Sequence, residues 1–131
     1  FINNKAKVKL NNKWGFINEK GNEITEIKYD WVGNFFENKA AIQLNNKWGF
    51  INEKGNEITE IKYDDIWDFN NERAKVKLID QYGNDKYGFI DEKGNEIIEC
   101  KYDNAFSFNN NEALVELNGE EFYININGNR I

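Results

Sequence analysis

The side chains that could carry acid–base or metal chemistry in this sequence are carboxylates, because the chain of 131 residues contains no histidine. Histidine is the commonest general base and the commonest transition-metal ligand in proteins. The single cysteine, Cys100, therefore lacks the base that usually activates a nucleophilic thiol, and we interpret it as a small buried apolar residue. The spacings typical of a Ser-His-Asp triad, a zinc site or a phosphate-binding loop are also absent from the sequence.

Two groups of closely spaced carboxylates remain as candidates for chemistry. One contains Asp64, Asp65 and Asp68, and the other contains Asp80 and Asp85. The second group lacks the alternating Asp/Asn ligands and the distant glutamate of a calcium loop. A glycosidase pair would look no different from the ordinary surface carboxylates of an acidic chain. We therefore expect no catalytic residue, no metal site and no cofactor, and we predict that the protein is not an enzyme.

The charge balance limits the partners of the protein. Asp and Glu outnumber Lys and Arg by 23 to 17, which gives a net charge of -6 without a basic cluster. Such a chain has nothing with which to neutralise phosphate backbones or anionic membrane surfaces. No apolar run approaches the roughly 20 residues of a membrane-spanning helix. We therefore expect no nucleic-acid partner and no membrane insertion.

A repeat sets the spacing of these residues. The segment LNNKWGFINEKGNEITEIKYD occurs at 10–30 and again, unchanged, at 44–64. A third copy of the motif follows at 87–90, and a degenerate fourth copy falls at 121–124. Repeats of this length are typical of stacked supersecondary units. We predict a single repeat domain over 1–131, whose units are 1–34, 35–68, 69–107 and a degenerate 108–131.

Each unit has the residue pattern of short strands joined by tight turns. Residues 7–10 alternate polar and apolar side chains, and Asn11-Asn12 suits a type I′ hairpin turn because asparagine tolerates a positive φ. The next strand, 14–18, has apolar residues on both faces, which predicts that it lies inside a sheet. A third strand is expected over 23–29, with a bulge near Thr25-Glu26.

These patterns predict an all-β fold of tandem antiparallel β-meander or hairpin repeats, stacked in an open twisted array. One unit is shorter than the roughly 40 residues at which a domain usually folds alone. We therefore expect each unit to gain order by packing its aromatic side against the next unit. A small propeller-like closed ring is the alternative, and it would need a short fourth strand within residues 32–36.

The aromatic residues of the motif have two interpretations. The rings at this repeat position and the glycines that follow them are Trp14, Gly15, Trp48, Gly49, Tyr87 and Gly88. In the first interpretation they are structural, with each ring in a packing interface and each glycine allowing close approach of a neighbour. In the second interpretation the three rings form a sugar-stacking platform, which would make the protein a cell-wall or glycan-binding module.

The copies differ most between residues 31 and 43. Phe35, Phe69 and Phe108 are retained at one repeat position, whereas nearby rings appear in some copies and are missing from others. Rings that vary in this way cannot all hold the same interface, so they are candidates for a contact surface; repacking against a neighbouring unit is the alternative. The predicted binding residues are Trp31, Trp67 and Phe106, together with Tyr82 at the tip of the lengthened third hairpin.

The repeated motif resembles the bacterial WG (KWG) repeat family over nearly the whole chain. The residues that carry the resemblance are Lys13-Trp14-Gly15-Phe16-Ile17-Asn18, then Gly21, Tyr29-Asp30 and Phe35. Glu26, Glu60 and Glu99 stand where members typically have proline. The resemblance implies a β-rich repeat module with a binding role and no established catalytic residues. We therefore expect a non-enzymatic module for protein–protein interaction or scaffolding, with a protein partner.

Overall fold

The computed structural model describes residues 4–131, which form strands and turns without a helix. Within this part of the chain, no helix has the length and hydropathy needed to cross a membrane. The strands are β1 (Lys5–Leu10), β2 (Lys13–Asn18), β3 (Trp31–Val32), β4 (Lys39–Leu44), β5 (Lys47–Asn52), β6 (Asp65–Asn70), β7 (Arg73–Ile79), β8 (Asp85–Ile90), β9 (Ile98–Tyr102), β10 (Asn104–Ala105), β11 (Glu112–Leu117) and β12 (Glu120–Asn125).

These strands form four small antiparallel sheets, one for each copy of the motif. The first sheet is β1-β2, the second β3-β4-β5, the third β6-β7-β8-β9 and the fourth β10-β11-β12. None of the four closes into a barrel. The prediction of an all-β fold built from tandem antiparallel hairpin repeats, with open sheets, is therefore confirmed.

The chain divides after Lys62 into two compact parts, here called the first and the second unit, and each is larger than one repeat. The second unit is Tyr63–Ile131. The first and second sheets lie in one unit, and the third and fourth sheets lie in the other. The single domain over 1–131 and its repeat boundaries stay a prediction. Residues 1–3 of the predicted first repeat lie outside the described residues.

Asparagine-rich turns fix the register of every sheet. Asn11 and Asn12 have φ values of 52° and 66°, so the predicted type I′ turn is confirmed. A second turn of the same kind, at Glu37 and Asn38, leads into β4 and was not anticipated from the sequence. The closed ring would need a short strand within residues 32–36; the observed strand β3 shares only Val32 with that range and pairs with β4 in an open sheet.

The third predicted strand, over 23–29, is wrong for the first repeat, where two isolated bridges replace it. Trp14 pairs with Tyr29 and Ile17 with Glu23. Between these bridges the Thr25 hydroxyl accepts a hydrogen bond from the backbone N–H of Phe16 at 3.2 Å, and so replaces part of a ladder. The matching residue of the third repeat is Ile98, which has no hydroxyl and pairs with Phe89 in strand β9, where the register shifts between Tyr87 and Phe89.

Each unit has one hydrophobic core that its two sheets share. Phe16 and Phe35 meet edge to face in the first unit with ring centroids 4.8 Å apart, and Phe89 and Phe108 meet in the second unit at 4.7 Å. The other buried members of the two cores are Tyr29, Val32, Ala40, Ile42 and Ile51, and Ile98, Tyr102, Ala105, Ala113, Val115 and Ile124. Neighbouring sheets within a unit therefore bury apolar area that neither would bury alone.

A polar contact accompanies this packing in the first unit. The Tyr29 hydroxyl donates a hydrogen bond of 2.7 Å to the Glu57 carboxylate. Burial raises the pKa of Tyr29 above its ordinary value, and the hydrogen bond with Glu57 raises it further. Because the phenol stays protonated over the whole physiological pH range, it remains a donor to Glu57.

Candidate functional site

The four sheets have a common face, here called the front face. It carries the first ring of the motif, which is Trp14, Trp48 or Tyr87 and is here called the motif ring, and the aromatic residue two positions later. Phe16, Phe50, Phe89 and Tyr123 occupy the same register on this face, opposite Lys7, Ala41, Lys75 and Leu114. The three phenylalanines are 2%, 3% and 0% exposed, whereas Tyr123 is 51% exposed. The front face of the fourth sheet is therefore open at a position that the other sheets bury.

Within each unit, the front face of the leading sheet packs against the sheet that follows. Phe35 packs on Phe16, and Phe108 packs on Phe89. In the second unit Arg73 Nε also donates to the carbonyl oxygen of Ile126 at 2.8 Å. The front face is therefore a docking face for a phenylalanine and for backbone carbonyls.

The open front face of the fourth sheet forms a shallow groove lined by both apolar and polar side chains. Phe106 and Tyr123 are each about half-exposed, at 52% and 51%, and Leu114 lies between them in the pairing scheme. The groove has a volume of about 440 Å³, and its remaining lining residues are Ser107, Asn109, Asn110 and Glu112. Exposed rings around a concave surface are typical of contact sites.

Of the four predicted binding residues, the structure places Phe106 in this groove. Trp67 is half-buried, and its neighbours within the protein are the Tyr87 ring, at 5.9 Å between centroids, and the Lys75 ammonium, at 4.2 Å from the ring centre. The Lys75 ammonium also donates to the Ala105 carbonyl at 2.9 Å. Burial lowers the pKa of Lys75, and the nearby Asp65 carboxylate offsets part of that shift.

Trp31 is exposed and packs edge to face with Trp48, with ring centroids 5.4 Å apart. A Cβ added to Gly33 would lie 3.3 Å from the Trp31 ring, so Trp31 covers the glycine. Trp31 and Trp67 thus start from different repeat positions, yet each packs against the motif ring of its own sheet. A tryptophan at either repeat position can therefore cover the motif ring. A comparison of the copies position by position did not predict this, although the sequence pairs Trp31 with the small residue Gly33 at the position that Trp67 occupies in the next repeat.

Tyr82 is the most exposed of these side chains, at 78%, and it lies at the tip of the third hairpin. The Asp80 carboxylate holds this tip by accepting hydrogen bonds of 2.9 Å from the N–H groups of Tyr82 and Asn84. The hydrogen bond from Asn84 is the largest cause of the lowered pKa of Asp80. Tyr82 does not line the groove of the fourth sheet.

The motif glycines occupy sites of close approach, and their structural role stays a prediction. An added Cβ would lie 2.9 Å from the Glu26 carbonyl oxygen at Gly15 and 2.9 Å from the Thr59 hydroxyl at Gly49. At Gly88 it would lie 2.7 Å from the Cys100 nitrogen. Backbone therefore crosses directly over the glycines of the first and third sheets, and a side chain crosses over the glycine of the second.

The motif rings are half-buried rather than displayed as flat platforms. The Lys9 ammonium lies 5.6 Å from the Trp14 ring centre, and the Lys75 ammonium lies 5.5 Å from that of Tyr87. Trp48 receives the edge of Trp31. The glycan-binding alternative stays a prediction, and these contacts do not favour it.

Four of the five carboxylates that were candidates for chemistry make hydrogen bonds or an ion pair within turns and strands. Asp64 accepts a hydrogen bond of 2.7 Å from the Ile79 N–H, Asp65 accepts one from the Ile66 N–H, and Asp85 lies 3.8 Å from Lys77. The described residues contain no group of three or more metal-ligating side chains. Cys100 is partly exposed rather than buried.

The Asp of the Tyr-Asp pair ties each motif to the next hairpin, and this contact predicts how stability depends on pH. The Asp103 carboxylate accepts hydrogen bonds from the Lys86 ammonium at 2.5 Å and the Asn118 N–H at 2.9 Å. These two contacts hold the pKa of Asp103 below its ordinary value. Asp30 has a lowered pKa for the same reason, through Lys13 and Asn45.

A carboxyl whose pKa is lowered by folding stabilises the protein above its ordinary pKa and loses that contribution as the pH falls through the folded value. We therefore expect the melting temperature of Asp103→Asn to lie roughly a few degrees below that of the wild type at about pH 6. The two should converge at about pH 2, which thermal unfolding followed by circular dichroism will measure. A constant difference at both pH values would contradict the assigned contact.

A family model described as WG containing repeat matches residues 14–48, 48–82 and 87–120, which together make up most of the chain. The chain belongs to the WG-repeat family. Each match to the WG repeat begins at a motif ring, namely Trp14, Trp48 or Tyr87. The fourth motif, in which Glu121 replaces the ring, lies beyond the matched residues. No curated protein and no solved structure matches this WG-repeat chain.

Proposed function

We propose that this WG-repeat protein is a non-enzymatic interaction module that binds another protein through the front face of its fourth sheet. The observation that supports this proposal is the exposure of Tyr123 at a register position where the other three sheets bury phenylalanine. Large exposed rings that become desolvated on binding supply much of the affinity of protein interfaces. The proposal makes Phe106 and Tyr123 the anchoring side chains.

The occupant of the groove is a polypeptide segment that carries an aromatic side chain. Phe35 and Phe108 show what the front face accepts elsewhere, because each contacts the ring that corresponds to Tyr123. A ring from a partner would fill the groove between Phe106 and Tyr123 in the same way, edge to face. Trp31, which is exposed in the first unit, is a second candidate anchor.

The non-enzymatic part of the proposal is supported by the chemistry of the chain. Histidine is absent from the sequence, and the Asp64, Asp65 and Asp80 carboxylates accept backbone hydrogen bonds. Lys75 is the described amine with a lowered pKa, and its ammonium contacts Ala105 and Trp67 rather than a cleft. These carboxylates and the Lys75 ammonium therefore make structural contacts.

Site-specific photo-crosslinking tests the proposal. We expect a benzophenone amino acid at position 123 to form a discrete adduct with one protein from cells or medium of the source organism, and Phe106→Ser to reduce that adduct roughly tenfold. The same probe at position 82 is the matched control, because Tyr82 is more exposed yet lies outside the groove. Adducts of equal yield at both positions, or none at position 123, would contradict the proposal.

A further inference from the structure

The front face of the third sheet donates hydrogen bonds to the sheet that packs on it. Arg73 Nε donates to the Ile126 carbonyl and Lys75 Nζ donates to the Ala105 carbonyl, at 2.8 and 2.9 Å. Both acceptors are backbone groups that follow or end strands of the fourth sheet. The cations of the front face are therefore matched to the exposed carbonyl groups of a following sheet.

The fourth sheet reverses this charge pattern, because it has a carboxylate and an apolar side chain at the register positions where the third sheet has two cations. Glu112 takes the place of Arg73, and Leu114 takes the place of Lys75. A carboxylate accepts hydrogen bonds and cannot donate them to a carbonyl. The front face of the fourth sheet therefore lacks the donors with which the third sheet holds its neighbour, and its geometry calls for donors from the partner.

A second reversal lies at the next pair of positions along the same strands. Lys9 faces Trp14 in the first sheet and Lys77 faces Tyr87 in the third, so a cation lies opposite a ring. In the fourth sheet Glu116 pairs with Glu121. Like charges directly opposite each other on antiparallel strands are destabilising.

These two reversals place negative charge beside the groove. Glu112 lines the groove, and the Glu116–Glu121 pair lies one pairing step beyond Val115, on the side of the sheet that carries Leu114 and Tyr123. None of the described residues that line the groove is a lysine or an arginine. A cation from outside would relieve the repulsion between Glu116 and Glu121 and give Glu112 a donor.

We infer that the partner of this face is a cationic polypeptide segment in which lysine or arginine side chains flank an aromatic residue. The inference rests on the proposed function and adds the chemistry of the partner. The aromatic residue would enter the groove at Phe106 and Tyr123, and the flanking cations would meet Glu112 and the Glu116–Glu121 pair.

Binding of three synthetic peptides to the complete chain tests the inference. The first peptide has a phenylalanine flanked by lysines on both sides, the second has glutamates in place of the lysines, and the third has serine in place of the phenylalanine. We expect the first peptide to bind and the other two to bind at least roughly tenfold more weakly by fluorescence anisotropy. The affinity of the first should fall as salt is raised, because the rim charges, which are those of Glu112, Glu116 and Glu121, are partly or fully exposed.

Charge variants test whether the three rim glutamates, rather than the net negative charge of the whole chain, attract the peptide. The combined change Glu112→Gln, Glu116→Gln and Glu121→Gln is expected to weaken the lysine-flanked peptide roughly tenfold or more. The matched control removes the same charge at exposed turn residues, through Glu19→Gln, Glu53→Gln and Glu92→Gln. It is expected to change the affinity less than about threefold, as for charges remote from a contact.

The outcomes distinguish this inference from the function on which it rests. If Tyr123→Ser abolishes peptide binding while the rim variant leaves it unchanged, the cationic partner is wrong and the interaction face stands. If the rim and control variants weaken binding equally, the attraction is non-specific and the inference is overturned. Loss of a dimer on Tyr123→Ser in sedimentation experiments would identify a second copy as the occupant, which would also overturn it. If neither Tyr123→Ser nor the rim variant alters binding, both proposals fail.

Discussion

Gly88→Ala is expected to lower the free energy of unfolding by about 3 kcal/mol or more. An added Cβ would lie 2.7 Å from the Cys100 nitrogen and 2.7 Å from the Glu99 carbonyl carbon, and closer still to the Ile98 carbonyl oxygen. All three atoms belong to the backbone of β9 and cannot move aside as a side chain could. The substitution must therefore separate β8 from β9 and break pairing around the Phe89 core.

Two other glycine substitutions calibrate this effect. Gly15→Ala meets the Glu26 oxygen at 2.9 Å and the Ile27 Cα at 3.0 Å, so we expect a smaller loss of stability. Gly83→Ala meets nothing within 4 Å, but its φ of +81° is strained for alanine and should cost about 1 kcal/mol. Urea denaturation will give the three values. A loss at Gly88 no larger than that at Gly83 would contradict the close backbone approach.

The hairpins were predictable because the residues that specify a turn and its two flanking strands are close together in the sequence. Asparagine pairs adopt the positive φ values of type I′ turns, and alternating side chains set which face of each strand is buried. The same chemistry also places the second turn at Asn71-Glu72, which precedes β7. That turn was not anticipated, and neither was the matching turn before β11, although Asn110-Asn111 is an asparagine pair with positive φ values.

The third segment of each repeat could not be assigned from apolar spacing alone. The two forms differ in one hydrogen bond: the hydroxyl of Thr25 or Thr59 accepts from the N–H of Phe16 or Phe50, whereas Ile98 has no hydroxyl and lies in a strand. Both forms have a similar apolar pattern. The outcome depends on a hydrogen bond between residues nine positions apart, which periodicity does not report.

The candidate contact surface was predictable only in part. Phe106 was found because it varies among the copies, but Tyr123 was missed because its position is aromatic in every copy. The signal that could have found it was the change of its neighbours, where glutamates at 116 and 121 replace the cation and ring of the first and third sheets. The exposure of Tyr123 depends on whether another sheet packs on the front face, and the sequence of the repeat itself does not contain that information.

The front face makes the central claim of this account directly measurable. Phe89 and Tyr123 have the same register in their sheets, but Phe108 covers Phe89 whereas Tyr123 is half-exposed. Phe89→Ala is therefore expected to cost about 4 kcal/mol of unfolding free energy, because it leaves a cavity in the core of the second unit. Tyr123→Ala should cost no more than about 1 kcal/mol, because its ring faces solvent.

The decisive measurement is the difference between these two values in urea denaturation of the isolated protein. Phe89→Leu and Tyr123→Leu form a milder matched pair, should Phe89→Ala fail to fold. The open front face predicts a cost at position 89 at least roughly threefold that at position 123. Equal costs at the two positions would mean that the front face of the fourth sheet is covered as fully as that of the third, which would contradict the account.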